Sequence, residues 1–597
     1  MSGITGFIRW DGAYSVASDK WSDAVEAMCR TLTHRGGAEE TRFRYADAHL
    51  AQTTRAGHKR DKVVARLPYK NGTACIVLDG ELYHSIGTAA SVEECILRLV
   101  LRDGIEAIED LNGAFAGAIY LESERRLYLF RDHLGLKPLF YMPQDGGLVF
   151  GSEIKAILQY PGVQAAVTRE GLCEVLGLGP ARRESSGVFE GIYSVLPGHY
   201  AVVDAGGFRQ VPYWSLGGAP CGDSFEAAAT HVTTLVTDAV SRQSGGKICT
   251  LLSGGLDSSI VTALVASERD KPIDTFSFDF VDSDKHFAAN DFQSQRDRPY
   301  VEQMVRLLGT RHTFLECDSA QLADALPDAM RARDLPGMAD VDASLLIFSR
   351  QMAESHDIAL SGECADELFN GYPWFHKPEF VAHDGFPWSR DIAMRTAFLR
   401  DDVADALDVP AFEREAYETA RSATPAFYAE SDREAREKQI SFLTIKWVMA
   451  TLLDRADRMC GAAGLTARAP FADKRIAEYL WSLPWAVKNA HEVKGILRKA
   501  FQGLLPDEIL YRKKNPYPKT YNPAYERLLA SRLQDVLADS NAPIRQLADA
   551  EKVRAFIHAP QDYGRPWYGQ LMAGPQMLAY WLQMNAWLQE YDIRLKV

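Results

Sequence analysis

The first third of the chain is built of short apolar runs separated by turn-forming residues. Residues 74–78, 114–120, 126–130 and 148–150 each read as a strand, and together they predict an antiparallel, sheet-rich layer structure. The pattern breaks at 214–223, where Gly217, Gly218, Pro220 and Gly222 mark a linker. Beyond it, continuous apolar runs at 250–252, 275–280 and 358–360 alternate with helical periods. That alternation predicts a parallel α/β sheet whose strands are buried by helices. From about residue 385 amphipathic helical periods dominate. Two domains are expected, 1–212 and 213–597.

Two short strings carry the chemistry. LLSGGLDSS, at 251–259, follows one of the buried strand runs. Ser253, Gly254 and Gly255 let the backbone turn and leave main-chain N–H groups free to approach phosphate oxygens. A helix expected from Ser258 to Ser267 points its positive end at the same place. Ser253 and Ser258 add hydroxyls, and Asp257 is placed to hold a magnesium ion. The second string, SGECADE at 361–367, sets Asp366 and Glu367 just after a strand run, with Glu363 on the intervening turn. Paired carboxylates near a phosphate loop suit metal binding and general-base work.

The loop resembles that of the ATP-pyrophosphatases, which cleave ATP to AMP and pyrophosphate. Both strings, with RDHLGLKPLFY (131–141), FGSEIKAIL (150–158), RAPFADKR (468–475) and LLPDEILYRKKNPYPKTYNP (504–523), resemble the glutamine-dependent asparagine synthetases. The likeness runs the length of the chain and is close in its C-terminal two thirds. It implies an Ntn-hydrolase-like αββα sandwich, followed by an adenine-nucleotide α-hydrolase-like (PP-loop) parallel α/β domain with a helical C-terminal part. It also implies an AMP-forming carbon–nitrogen ligase with ATP as substrate and Mg2+ as cofactor. A carboxylate attacks the α-phosphate, and an amine then attacks the acyl-adenylate.

By that resemblance Ser253, Gly254, Gly255, Asp257 and Ser258 hold pyrophosphate, and Asp257 and Asp366 hold the metal. Leu251, Phe278, Ser361 and Gly362 surround adenine and ribose, although core packing accounts equally well for Leu251 and Phe278. Lys514 matches the family's catalytic lysine and Glu363 its base. Lys494 and Arg498 share a helical face by their i,i+4 spacing, which suits a phosphate contact or a solvated basic face equally. Tyr372-Pro373-Trp374-Phe375 is either loop packing or a pocket wall, and the polar stretch 282–299 reads as a long loop, a candidate lid. A homodimer is expected by the same analogy.

The front domain departs from the family at four points. The family's Met-Cys-Gly-Ile start, whose cysteine is the glutaminase nucleophile, is Met1-Ser2-Gly3-Ile4. Its Asn-Gly-Glu oxyanion motif is Asp79-Gly80-Glu81. The segment that should carry the glutamine-carboxylate arginine is 52–57, with only a slipped Arg55. The acidic partner of the glutamine amine falls on Val92. A hydroxyl is a weaker nucleophile than a thiol, and a lost oxyanion donor typically costs ~10²–10³ in rate. Four changes aimed at four parts of one site read as a glutaminase that is inactive.

Composition changes the picture little. A chain of 597 residues, 47% hydrophobic, is ample for two cores. The net charge of −14 argues against a nucleic-acid footprint. No apolar run approaches the ~20 residues of a membrane span. Nine scattered cysteines without a CxxC pair suit reduced thiols in a cytoplasm. His286, His312, His376 and His491 lack metal-ligand spacing. Substitutions at Thr466, Ala469, 459–462 and Asn370 leave the acid substrate open.

Three functions fit these residues. The first is a ligase that adenylates a carboxylate, aspartate or aspartate-like, and takes ammonia or a small amine without glutamine. The second is an intramolecular cyclase like the β-lactam synthetases or lasso-peptide cyclases. Glu363, where the former carry tyrosine, speaks against that branch. The third is a non-catalytic paralogue, against which the intact Ser253, Asp257, Glu363, Asp366 and Lys514 argue.

Overall fold

A computed structural model describes residues 1–597 apart from 12–17, 38, 55–65, 85–90, 288, 290–294, 428, 430, 559–566 and 570–571. The chain divides into two compact units. Residues 1–167, 183–215 and 461–464 form the first, and 168–182, 216–460 and 465–597 the second. This differs from a single break at 212/213 in two short segments, because contacts rather than sequence order decide membership.

The first unit holds two six-stranded antiparallel sheets. One runs Tyr193–Ser194, Phe140–Gln144, Gly147–Gly151, Gly3–Arg9, Ala48–Thr54, Glu39–Arg44. The other runs Gly207–Pro212, His199–Asp204, Arg126–Arg131, Gly113–Leu121, Gly72–Leu82, Arg66–Tyr69. Ile4, Ile8 and Leu50 of one sheet share a core with Ile76, Leu78, Ala116 and Ala118 of the other. Helix Ser18–Arg30 packs on the first sheet and helix Val92–Asp103 on the second, so the layers run αββα. Every residue of Gly113–Leu121 is buried, as a central strand with a layer on each face must be.

The second unit is built on a five-stranded parallel sheet. Its strands, in chain order, are β1 (Ile248–Leu251), β2 (Asp274–Phe280), β3 (Arg311–Cys317), β4 (Ile358–Leu360) and β5 (Thr466–Arg468). They lie in the order β3-β2-β1-β4-β5. Helix α1 (Leu256–Ser267) follows β1, and α2 (Asp340–Ala353) precedes β4. The direction of winding reverses between β1 and β4, and ligands of such sheets bind in the crevice beyond the carboxyl ends of the strands at that switch. Both chemical strings, 251–259 and 361–367, leave the sheet there. Among the described residues no helix is long and apolar enough to cross a membrane, and all nine cysteines are free thiols.

Candidate active site

The loop after β1 turns as its glycines allow. Gly254 has φ +67°, and a Cβ there would lie 2.7 Å from Tyr300 Cβ and 2.8 Å from the Val301 nitrogen. The hydroxyls of Ser253 and Ser258 are 2.9 Å apart, and the Ser253 N–H donates to Ser258 Oγ at 3.1 Å. Helix α1 starts at Leu256, two residues earlier than the sequence suggested, so Asp257 already belongs to its first turn. Across the crevice Gly362 lies against that turn. A Cβ on it would come within 2.7 Å of the Ser258 nitrogen.

Carboxylates and lysines interlock at the centre. Lys494 Nζ donates to both oxygens of Asp257, at 2.7 and 2.6 Å, and stands 2.6 Å from Asp366 Oδ1. Lys514 donates to the other Asp366 oxygen and lies over the Tyr372 ring, 4.9 Å from its centroid. Burial raises the Asp257 carboxyl and the neighbouring Asp366 charge adds to that, against the pull of Lys494. Against its own burial, Asp366 is held down at about 2 by Lys494 and Lys514. Lys494 is not on a helix. It is the residue before the helix Gly495–Ala500, at φ +56°, and is 4% exposed, which excludes the solvated basic face. Arg498 is buried too, and it donates to the main-chain carbonyls of Val493, Leu510 and Arg512. It also pairs with Glu492 at 3.1 Å, so it ties the Lys494 and Lys514 segments together without an ion pair to Asp257 or Asp366 among the described residues.

Glu363 stands at the end of the same crevice. Its Oε1 accepts from Arg455 Nη1 at 3.3 Å, and Ser361 Oγ donates to its Oε2 at 3.5 Å. Burial pushes this carboxyl above the usual range, with Arg455 and Ser361 pulling the other way. Next to Asp366, Glu367 is 1% exposed and is raised to about 7, first by burial and then by the Asp366 charge. Tyr372 donates to Glu367 at 2.6 Å and stacks on Trp374 at 4.2 Å.

A cavity of about 740 Å³ collects these groups. Of the sequence-derived synthetase residues, Leu251, Ser253, Gly255, Asp257, Ser258, Phe278, Ser361, Gly362, Glu363, Asp366, Lys494 and Lys514 line it, while Gly254 does not. Phe278 is half-buried: it stacks on Phe348 at 4.5 Å and also reaches the cavity, so core packing and wall coexist. Tyr372, Pro373 and Trp374 line the wall, as do Ser283, Phe287 and 296–298 of the candidate lid, whose residues 288 and 290–294 lie outside the described set. Thr466, Ala469, Asn370 and 459–462 do not line it. Arg455, Tyr517 and Arg512 were not singled out from the sequence. Arg512 donates to the Ser253 carbonyl at 3.2 Å and Arg455 lies over the Tyr517 ring at 4.4 Å. Away from the cavity centre, the His312 ring is satisfied by Thr275 and Ser277, each at 2.9 Å.

The first unit has a polar centre of its own. The Ser2 N–H donates to Asp79 Oδ1 at 3.0 Å, and Arg35 Nη2 donates to Asp79 Oδ2 at 2.8 Å. Arg35 also donates to Glu153 at 3.0 Å and to the Ser2 carbonyl at 3.3 Å. Gln52 Nε2 donates to Ser2 Oγ at 3.4 Å and to Glu93 Oε1 at 3.3 Å, while Gln52 Oε1 accepts from the Leu78 N–H at 2.9 Å. This corrects one expectation: the residue that reaches the centre is Glu93, fully buried, and not Val92 beside it. The one-residue shift turns a helical side chain by about 100°, from the flank to the core. Asp79 is not a bare carboxylate either, since Arg35 from the HRGG segment balances it. Gly80, at φ +148°, is required by the sheet, because a Cβ would meet the Ala114 carbonyl at 2.1 Å. Arg55 lies outside the described residues.

A strand, a glycine loop and a helix N-terminus at the switch point of a parallel sheet define a PP-loop nucleotide-binding domain, preceded in the chain by an Ntn-hydrolase-like sandwich. Comparison with known proteins agrees. The Asparagine synthase family profile matches residues 231–589 and the Glutamine amidotransferase domain profile residues 1–214. The chain is 37% identical over 621 residues to asparagine synthetase [glutamine-hydrolyzing] 3 of Bacillus subtilis, covering 99% of each. It is 26% identical over 460 residues to the Gallus gallus asparagine synthetase [glutamine-hydrolyzing], covering 71% of this chain and 66% of that one. Among solved structures, glutamine phosphoribosylpyrophosphate amidotransferase from B. subtilis aligns at 12% identity and TM-score 0.27, over 53% of this chain and 81% of that one. The chain belongs to the asparagine synthase family, and so to the ATP-dependent, AMP-forming carbon–nitrogen ligases.

Proposed function

We propose that this protein adenylates a carboxylic acid, aspartate or one like it, and transfers the acyl group to ammonia or a small amine without hydrolysing glutamine. The observation that carries the synthetase part is that Asp257, Asp366, Lys494, Lys514 and Glu363 line one cavity with the loop at 253–258. The main-chain N–H groups and hydroxyls of that loop would hold the pyrophosphate leaving group. Lys514, on a flexible stem, would follow charge as it develops on the phosphorus centre.

Magnesium fits the residues present. Among the described residues no cluster of three or more acidic, cysteine or histidine side chains makes a metal cage. Magnesium bound with a nucleotide characteristically takes only one or two carboxylates, with phosphates and water completing its shell. Asp257 and Asp366, both against the Lys494 ammonium, are such a pair, and the ion would there offset charge on the phosphates. Glu363 would serve as base toward the incoming amine: its raised carboxyl makes a better acceptor than an ordinary one, and Ser361 and Arg455 hold it.

Loss of glutamine use is supported by the first unit. Ser2 offers a hydroxyl, Asp79 is tied to Arg35 and to the Ser2 N–H, and Gln52 stands hydrogen-bonded to the Ser2 hydroxyl. The test is AMP and pyrophosphate formation with magnesium-ATP and aspartate, adding nothing, ammonium or glutamine. Turnover with ammonium and none with glutamine is expected. Equal turnover with glutamine would overturn the glutamine-independent reading, and silence in all three would overturn aspartate as the acid.

A further inference from the structure

Most cations of the cavity wall already have partners. Lys494 bonds Asp257, Lys514 bonds Asp366, and Arg512 bonds Asp297 and the Ser253 carbonyl. Arg498 bonds main-chain carbonyls, and Arg455 bonds Glu363 and the Val341 carbonyl. Lys519 lines the same cavity, half-buried, and differs from them. It makes no hydrogen bond or salt bridge with any described residue; its ammonium lies over the Tyr521 ring, 5.4 Å from the centroid. The acid that opposes it is Asp340, which is 3% exposed, lies beyond ion-pair distance and accepts from Gln576 at 2.9 Å. Burial pulls the Lys519 ammonium below its usual range, and Asp340 offsets this only in part. A cation drawn into a wall without a bonded anion carries a desolvation cost that an arriving anion removes.

The first turn of α2 shows which end of the cavity this is. Val341, the residue after Asp340, accepts from Arg455 at 3.2 Å, and Ser344 shares a hydrogen bond of 3.2 Å with Tyr517, the ring under Arg455. Arg455 is the partner of Glu363. Lys519 therefore stands with the Glu363 group, while the loop at 253–258, Lys494 and Lys514 make the phosphate end.

We propose that Lys519 is a specificity-determining residue of the synthetase site, which binds the non-reacting carboxylate of a dicarboxylic acid while the other carboxylate is adenylated. The inference rests on the reading that an acyl-adenylate forms in this cavity. A monocarboxylic acid leaves Lys519 without its anion, and the nucleotide makes no use of it.

The experiment is ATP–pyrophosphate exchange by the full-length wild type, Lys519→Met and Lys519→Arg, over aspartate, glutamate, malate and succinate. The monocarboxylate β-alanine, which is aspartate without its α-carboxylate, completes the set. Lys519→Met is expected to raise the KM for the dicarboxylic acid used roughly 10- to 100-fold, the worth of one charge-assisted hydrogen bond. The KM for ATP should stay within about twofold, which also shows an intact fold, and Lys519→Arg should recover most of the loss. Any β-alanine exchange should be equal in the wild type and Lys519→Met. An unchanged KM for the acid in Lys519→Met overturns this inference alone. A raised KM for ATP overturns it as well and assigns the lysine to the nucleotide. A wild type that exchanges with no dicarboxylic acid overturns the proposed acid class and this inference together.

Discussion

Lys494 reaches across 237 residues of sequence to place its ammonium on both oxygens of Asp257, at 2.7 and 2.6 Å. The same ammonium stands 2.6 Å from Asp366, so one lysine holds the carboxylates that follow β1 and β4. Removing it leaves two like charges facing one another in a desolvated site. Lys494→Met is expected to lower ATP–pyrophosphate exchange by ~10² or more, the scale of losing one electrostatic contact in such a site. Asp257→Ala should abolish exchange while circular dichroism stays native. Normal exchange in either variant would remove this cluster from the chemistry.

As the proposed base, Glu363 should separate the two half-reactions. Glu363→Gln keeps the side-chain shape and the contact from Arg455, so exchange should stay within a few-fold while amide formation stops. The pH dependence has a definite sign. Burial raises this carboxyl, and the base must be ionised. The amide-forming rate should therefore fall with acid beginning at higher pH than an ordinary carboxylate with pKa ~4.3 would give. Equal loss of both half-reactions would contradict the assignment.

The first unit's buried pair gives a stability prediction. Arg35 and Asp79 side chains are both fully buried, and loss of Asp79 removes the 2.8 Å ion pair from the Arg35 guanidinium. Asp79→Asn should cost about 3 kcal/mol in urea denaturation, as breaking a buried ion pair does. Ser2→Ala should leave ammonium-supported turnover unchanged. Ser2→Cys alone should not restore glutamine hydrolysis, because Asp79 remains where an amide is needed, and a clear glutaminase rate in that variant would refute the inactive-site reading.

Lys488 predicts a stability slope far from the chemistry. It is 2% exposed, and burial, reinforced by Lys438, brings its ammonium down to about 7. The unfolded chain keeps a lysine near 10.5, so between those values it binds more protons and stability rises with pH. Lys488→Met should raise the Tm at pH 7, and its advantage should shrink by pH 9. A gap that stays constant would show that Lys488 does not titrate this way.

The strings at 251–259 and 361–367 were legible because their chemistry is local: glycines, hydroxyls and carboxylates a few residues apart, each just after a buried strand. The strands 74–78, 114–120 and 126–130 were legible for a similar reason, since the apolar run itself is the signal. Arg455 was not, because nothing in a helical arginine 92 residues from Glu363 marks it as the partner of that carboxylate. Lys494 was read as one face of a helix, yet it precedes the helix in a left-handed conformation that spacing does not reveal.

Val92 and Glu93 show the same limit at single-residue scale, since motif matching fixes a neighbourhood and the helix phase selects the side chain. The sequence alone determined the two-domain family, the loop at 251–259 and the candidate reacting groups, because those depend on residue type at short range. Only the tertiary structure decided which cations pair with Asp257, Asp366, Asp79 and Glu363, and that half-buried Lys519 has no ion pair among the described residues. Those outcomes depend on electrostatics between groups that the sheet order brings together from across the chain.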